Sequence, residues 1–461
     1  MTNTLWTSDE IAAATGGTAS ADFAVSGVAF DSREVGPGDL FLALKGESTD
    51  GHRFLDQAFA QGAVGAVVSD ATDHPSVRVA DTTAALNALG AASRKRSSAK
   101  IIGVTGSVGK TGTKEALFAA LDRIDPGCAH RSVKSYNNHT GVPLSLARMP
   151  QGARYGVFEM GMNHAGELAQ LTRLVRPHVA IVTAIAPAHL GFFDSVEAIA
   201  DAKGEIFQGL GAGGTAIVPF DSPYRDRLLD AARPHATRIV TFGLGEGADY
   251  RAVETMRARS GGTFVMARFG NRELSFTISQ PGDHWVSNAM AILAAVDAVG
   301  GDLEVAGLAL AELGGLAGRG ARMTVPVGDG TALVIDESYN ANPSSMRATL
   351  KVLAAEPGRK IAVLGEMREL GVHADALHAE LAGPIAEAGV SRAILVGEAM
   401  APLAAALEGR LDFVHVADAA AAKAELESTL APGDAVLIKG SNGVRLATIV
   451  AALAERQTCS I

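Results

Sequence analysis

Lys110 and Thr111 are the residues whose types and spacing point most directly to chemistry. They close a turn, Thr105, Gly106, Ser107, Val108, Gly109, that follows the apolar run Ile101–Thr105 and leads into a helix-like stretch. A strand, a glycine-rich loop and a helix in that order form the setting a phosphate-binding loop requires. Gly106 and Gly109 allow a tight turn that aims backbone N–H groups at phosphate oxygens. Lys110 adds a compact positive charge, and the Thr111 hydroxyl suits a magnesium ion. The general pattern also asks for glycine six positions before the lysine; Val104 stands there, with Gly103 one place earlier.

Three further side chains could act with this loop. Glu159 ends the apolar run YGVFE, where a carboxylate can hold magnesium or can simply be a solvent-facing strand terminus. His189 follows the run Val179–Ile185, a position at which a lone histidine more often serves packing or surface polarity. Lys203 and Glu205 flank Gly204 in an otherwise apolar helical stretch, which suggests a loosened, polar-lined turn. Asparagine, glycine and proline are also dense in KSYNNHTGVP (134–143), DESYNANP (336–343) and GEMRELG (365–371). Each alone reads as a turn.

These residues need strand ends to hold them, and the chain supplies two series of strands. Near-continuous apolar runs at Ile101–Thr105, Tyr155–Met160, Val179–Ile185, Thr215–Val218 and Ile239–Phe242 read as strands covered on both faces, with helices between them. Thr255–Ile278 alternates instead, as an antiparallel appendage would. A second strand–helix rhythm starts each strand near Leu333, Ile361, Ala393, Phe413 and Val436. In such open sheets ligands sit beyond the carboxyl ends of the strands, where Asp336, Gly365–Glu366 and Lys439–Ser441 fall. Residues 1 to about 90 form a first unit, turn-rich over Val28–Leu55 and with helical stretches at Phe54–Gln61 and Asp81–Arg94, and RKRSSAK before the phosphate loop reads as a linker. The expected fold is therefore α/β in three domains, 1–95, 96–315 and 316–461, with the glycine-dense stretch Gly314–Gly320 as a hinge.

With 461 residues, two or three cores are expected. Forty basic against fifty acidic residues give a net charge of −10, which argues against a general nucleic-acid binder. Two cysteines in no paired motif argue against a disulfide scaffold or thiolate metal site and suit a reducing cytoplasm. No secretory leader pattern opens the chain, and charges and glycines break every apolar run below membrane-spanning length.

Taken together, TGSVGKTGTKE, YNNHTGVP, EMGMNHAGE, AHLGFFDSVEAIADAKGEIF, GDHWVSNAMAIL, DESYNANPSSM, LGEMRELG and KGSNGVRL resemble the Mur ligase family, in the family's order and over essentially the whole chain. The YNANP form resembles the branch that adds D-alanyl-D-alanine, and the N-terminal FDSREVGPGDLFLALKGESTDGH resembles the uridine-nucleotide-binding domain of that branch and of the branch that adds the third residue. The resemblance implies a uridine-nucleotide-binding first domain, a central ATPase-like domain with a mostly parallel sheet, and a Rossmann-like third domain. It implies ATP and two Mg2+ ions as cofactors, and UDP-N-acetylmuramoyl-tripeptide and D-alanyl-D-alanine as substrates of a cytoplasmic monomer. Residue by residue, it implies ATP contacts from Thr105 to Gly112 and from His284, Asn288, Arg319 and Asp336. It implies metal ligation by Thr111, Glu159, His189 and Lys203, with Lys203 carbamylated so that an anionic oxygen replaces a cationic amine. Ser32, Arg33, Lys45, Thr49, His52, Asn137 and Asn138 would hold the UDP-peptide, and Tyr339, Asn340 and Asn342 the closed site over D-alanyl-D-alanine. The chain departs from the family pattern at Val108, at Gly112, and at His139–Thr140 before Gly141. An acyl-phosphate route implies that the third domain closes over the centre, from an open form without ligands. A folate-polyglutamate-type ligase and a nucleotide switch without ligase activity are the rivals. The first domain argues against the former, and the lack of a guanine-reading N-K-x-D after a strand argues against the latter.

Overall fold

The computed structural model describes residues 4–46, 49–187, 190–258 and 262–458. Three large sheets organise them, one for each expected domain, beside a two-stranded antiparallel pair, Trp6–Thr7 with Ala24–Val25. The first has five short strands in the order Thr18–Ala19, Ser76–Arg78, Gly65–Val68, Asp39–Leu42, Gly27–Ala29, parallel except for the first pair. Helices Ser8–Thr15 and Thr82–Arg96 cover one face. That core continues into the central domain through Leu144 and Ala147, and the Trp6 indole donates to the Ala147 carbonyl at 2.9 Å.

The central sheet has nine strands, with Lys100–Thr105 between Val179–Val182 and Tyr155–Glu159. Seven strands run parallel, from Ala129–Arg131 at one edge to Tyr250–Arg257; Thr263–Phe269 and Arg272–Ile278 then add antiparallel strands. The alternating segment is thus antiparallel, as expected, and continues the same sheet. Its buried residues, Val265, Phe276 and Ile278, share one core with the helix Asp283–Ala298. Fully buried strands explain the unbroken apolar runs: Ile102, Val104, Val157, Val179 and Ile181 face that core, and Ile101, Phe158, Ala180 and Val182 the core opposite.

The third sheet has the order Ala321–Val327, Gly330–Glu337, Ala435–Lys439, Lys360–Gly365, Val390–Val396, Asp412–Val416. Its first strand is antiparallel to the second, and the rest are parallel. The opening strand escaped the sequence reading because MTVPV lies half exposed at the edge and carries a proline.

One local expectation is corrected in part. The basic stretch read as a linker begins inside the helix Thr82–Arg96, which holds Arg94, Lys95 and Arg96, and only Ser97–Ala99 separate it from the strand Lys100–Thr105. The Arg94 Nε donates to the Val175 carbonyl at 2.8 Å and so ties this helix to the central domain, and an Arg96 Nη donates to the Leu5 carbonyl at 2.7 Å within the first. In this structure the third domain lies over the phosphate loop. The Gly191 N–H donates to the Glu369 carbonyl at 3.0 Å, and Arg319 to the Ser135 hydroxyl at 3.2 Å. Among the described residues no helix is long and apolar enough to cross a membrane.

Candidate active site

The centre begins with the loop that ends the strand Lys100–Thr105. Gly106 has φ +149, and a Cβ there would lie 2.0 Å from the Thr183 hydroxyl, which anchors the loop by donating to the Val108 carbonyl at 2.6 Å. Gly109, at φ +85, precedes the helix Lys110–Ile124, and a Cβ there would meet the Asn288 amide at 2.9 Å. Both positions require glycine, for the left-handed turn and for the space. The unpaired N–H groups of this helix start make an anion site. The Lys110 ammonium donates to the Gly106 carbonyl at 2.7 Å, and burial pulls its pKa below the usual lysine range.

Behind the lysine lies a set of hard oxygen donors. Thr111 and Glu159 are buried, and the Thr111 hydroxyl donates to Glu159 Oε2 at 2.8 Å. The Asn137 amide donates to Glu159 Oε1 at 2.7 Å. Glu159 can occupy this interior position because it ends a central strand, beyond which the sheet opens into the cleft. This donor chemistry fits a magnesium ion. Lys203, at the last turn of the helix Val196–Gly204, is only 1% exposed. Burial, and then the nearby Lys110 charge, hold its amine well below the normal lysine range. The helix tightens into a 3-10 turn after Gly204, and Glu205 turns away to accept from the Gly166 and Ala169 N–H groups, capping the helix Glu167–Val175. Glu205 is therefore structural. His189 lies outside the described residues.

One cleft of about 420 Å³ gathers most of the expected residues: Ser107 to Gly112, Asn137, Glu159, Lys203, His284, Asn288, Arg319, Tyr339, Asn340 and Asn342 all line it. Two departures from the family pattern find a partial reason. Gly112 leaves room for Trp285, whose ring would lie 2.9 Å from a Cβ there. Val108 exposes its backbone to the cleft and uses its carbonyl to anchor the loop, a contact that does not depend on side-chain polarity. His284, in the opposite wall, is held to about 4 by burial and the Lys439 charge, so it is neutral at physiological pH.

Several expected residues stand elsewhere. Thr105 is buried beneath the loop, where its carbonyl accepts from Thr183. Asp336 does not line the cleft: it accepts from the Gly318 N–H at 2.6 Å and from the Ser338 N–H and hydroxyl, so it fixes the hinge next to Arg319 and Tyr339. Asn138 starts the helix Gly141–Ala147 by accepting from the Thr140 and Gly141 N–H groups. In the first domain Ser32 is buried against Gln57, Arg33 pairs with Asp31, Lys45 with Asp70, and His52 with Asp50 and the Ser69 N–H. Thr49 is exposed, and none of these five reaches the cleft. They are engaged in local structure because turn-rich stretches satisfy their own polar groups.

The sequence reading also missed Glu337. It lines the cleft and lies 3.4 Å from the Lys439 ammonium, which donates to the Asn340 carbonyl at 2.9 Å. Its only signal was its place as the second acid at a strand end, and Asp336 was the more conspicuous of the two.

Three family models match along the chain: the Mur ligase family catalytic domain over 24–120, the Mur ligase middle domain over 104–296, and the Mur ligase glutamate ligase domain over 321–442. The UDP-N-acetylmuramoyl-tripeptide–D-alanyl-D-alanine ligase of Escherichia coli (strain K12) is 34% identical over 443 residues, covering 95% of this chain and 96% of its own. A crystal structure of MurF from Acinetobacter baumannii superposes with a TM-score of 0.84 at 33% identity, covering 98% of this chain and 99% of that one. The MurF ligase of Thermotoga maritima in complex with ADP gives 0.78 at 26% identity, covering 94% and 98%. With this coverage and a phosphate loop facing an oxygen-donor set, the chain belongs to the Mur ligase family, and its chemistry is ATP-dependent amide-bond formation in peptidoglycan-precursor synthesis.

Proposed function

We propose that this protein joins D-alanyl-D-alanine to UDP-N-acetylmuramoyl-tripeptide, releasing ADP and phosphate. The observation that supports this most is the single cleft between the phosphate loop and the DESYNANP segment, in a chain that matches ligases of that name from end to end. A carboxylate becomes an acylating agent only when one oxygen is made a leaving group. Transfer of the ATP γ-phosphoryl to the tripeptide carboxylate does this, and the dipeptide amine then displaces phosphate. The loop N–H groups and Lys110 receive the phosphates, Asn288 braces the loop from behind, and Arg319 enters from the third domain, its guanidinium 4.2 Å over the Tyr339 ring. Thr111, Glu159 and a carbamylated Lys203 would hold Mg2+, whose charge would offset that crowded between carboxylate and γ-phosphate. Placing the uridine nucleotide in the first domain rests on the family's organisation rather than on Arg33 or Lys45, which already hold carboxylates.

Purified protein with ATP and Mg2+ should release phosphate at a substantial rate only when both UDP-tripeptide and D-alanyl-D-alanine are present, and mass spectrometry should find the UDP-pentapeptide. Phosphate release indifferent to both would favour a nucleotide switch; product with glutamate in place of the dipeptide would favour a polyglutamate-type ligase.

A further inference from the structure

Lys114 is a fully buried side chain that no step of the reaction uses, and it does not line the cleft. Its Nζ donates to the Ser132 carbonyl at 2.9 Å and to the Lys134 carbonyl at 2.7 Å, and lies 2.8 Å from the Glu115 carboxylate. Three N–H bonds thus meet three acceptors. Two of these belong to one stretch of backbone, and Glu115 also pairs with Arg131, the residue just before it. That stretch needs an anchor. It leaves the strand Ala129–Arg131, which is three residues long and forms the edge of the central sheet. It then turns through Lys134 at φ +52, a left-handed conformation that a side chain disfavours. Its side chains are engaged by the other domains: Lys134 and Tyr136 bond to Glu34 of the first, and Ser135 accepts from Arg319 of the third.

The stretch ends at Asn137, whose amide donates to Glu159 Oε1 and whose carbonyl accepts from the Gly161 N–H at 2.8 Å. Thr111 donates to the other carboxylate oxygen, Oε2. Glu159 is therefore gripped by two arms, one from the helix Lys110–Ile124 and one from residues 132–137. Lys114 lies three residues beyond Thr111 on the same helix face, and its bonds to Ser132 and Lys134 fix the spacing between the arms. We propose that Lys114 is a positioning residue: it locks residues 132–137 to the phosphate-loop helix and so holds the Glu159 carboxylate in the orientation that takes Mg2+. This rests on the ligase reading above, in which Thr111 and Glu159 hold the ion. Without the lysine, two buried carbonyls lose their donor and Lys134 is free to leave the left-handed turn. Asn137 then withdraws from Oε1 while Thr111 keeps Oε2.

K114M preserves the stem and removes the three donors. Equilibrium dialysis with trace labelled ADP gives the nucleotide affinity in saturating Mg2+ and in EDTA. ADP binds Mg2+ equally in solution whichever protein is present, so the ratio of the two affinities reports how well the protein–ADP complex holds the ion. In K114M the EDTA affinity should stay within about twofold of the parent, and the ratio should fall about 10- to 100-fold. N137A should lower the ratio as well, and K114M/N137A should lie within about twofold of N137A, because the lysine acts through that amide. Should K114M fail to fold, K114Q keeps two N–H donors on a shorter stem and should show the same fall in part. A ratio unchanged in the folded variant would overturn the assignment. So would an equal loss of ADP affinity in EDTA, or losses that multiply in the double variant, since either makes Lys114 a general support of the fold. A parent ratio of one or less would instead reject the metal reading on which the role depends.

Discussion

Lys203 has a buried amine and, among the described residues, no carboxylate to pair with. Burial without a counter-charge favours the neutral amine, the form that adds carbon dioxide to become a carbamate. K203A should lose on the order of a thousandfold in kcat, the scale of several kcal/mol for charge stabilisation at a transferred phosphate. Acetate should restore part of that loss; wild-type activity in K203A would remove the lysine from the metal site. K110A should likewise lose several orders of magnitude in turnover with an unchanged melting curve, because its amine bonds only to a loop carbonyl. His130 makes a different prediction. Among the described residues its ring has one hydrogen-bond partner, the Ser145 carbonyl, to which Nε2–H donates at 2.8 Å, and burial holds it near 4 against an ordinary value of 6.5. The unfolded chain then binds a proton between those values that the folded chain refuses, so this contribution is intact above about pH 6.5 and is lost as pH falls toward 4. H130Q keeps the donor without the titration, and its melting temperature should fall less steeply over that window; an identical slope would mean that the histidine titrates freely.

At the scale of elements, the helix Lys110–Ile124 is built to pass close under the helix Asp283–Ala298, and Gly112 is the point of nearest approach to Trp285. Restoring the family's usual side chain there with G112T should overpack the contact, costing about 1–3 kcal/mol. Trimming the ring in G112T/W285L should recover part of that stability. Calorimetry checks both, and an unperturbed G112T would show that Trp285 moves aside at no cost. The same contact marks what the sequence could reveal. Strands buried on both faces announce themselves as apolar runs, and a loop that must turn tightly onto a helix announces itself through glycine, so the sheets and the phosphate loop were legible. The identity of the cleft's far wall was legible in part. Tyr339, Asn340 and Asn342 stand in a segment too rich in polar turn residues to be ordinary. Asp336 and Glu337 could not be told apart, since adjacent residues on a strand point to opposite faces and only the neighbouring Ser338 and Lys439 decide which one enters the cleft. The pairing of the first-domain cations was not legible: Arg33 meets Asp31 and Lys45 meets Asp70, carboxylates that no periodicity connects to them.

For the whole molecule, the question is what keeps the third domain over the phosphate loop. Glu356, buried at the end of the helix Pro343–Ala354, accepts Arg322 of its own domain at 2.7 Å and Arg257 of the central sheet at 3.6 Å. Arg257 also donates to the Ala355 carbonyl at 2.7 Å. Because its side chain is about half exposed, solvent screens the ion pair, and the bridge contributes about 1 kcal/mol at most. That is still about fivefold in the ratio of closed to open molecules. An acyl phosphate in an open molecule meets water before it meets the dipeptide amine. R257A should therefore leave the phosphoryl step nearly intact and uncouple the second, so that ADP formed per UDP-pentapeptide rises above one. Raising the salt concentration should move the parent enzyme in the same direction and R257A much less. Small-angle scattering should find a larger radius of gyration for R257A with an ATP analogue bound. If the ADP-to-product ratio stays at one while the radius grows, closure does not protect the intermediate, and exclusion of water must be local to the walls of the cleft.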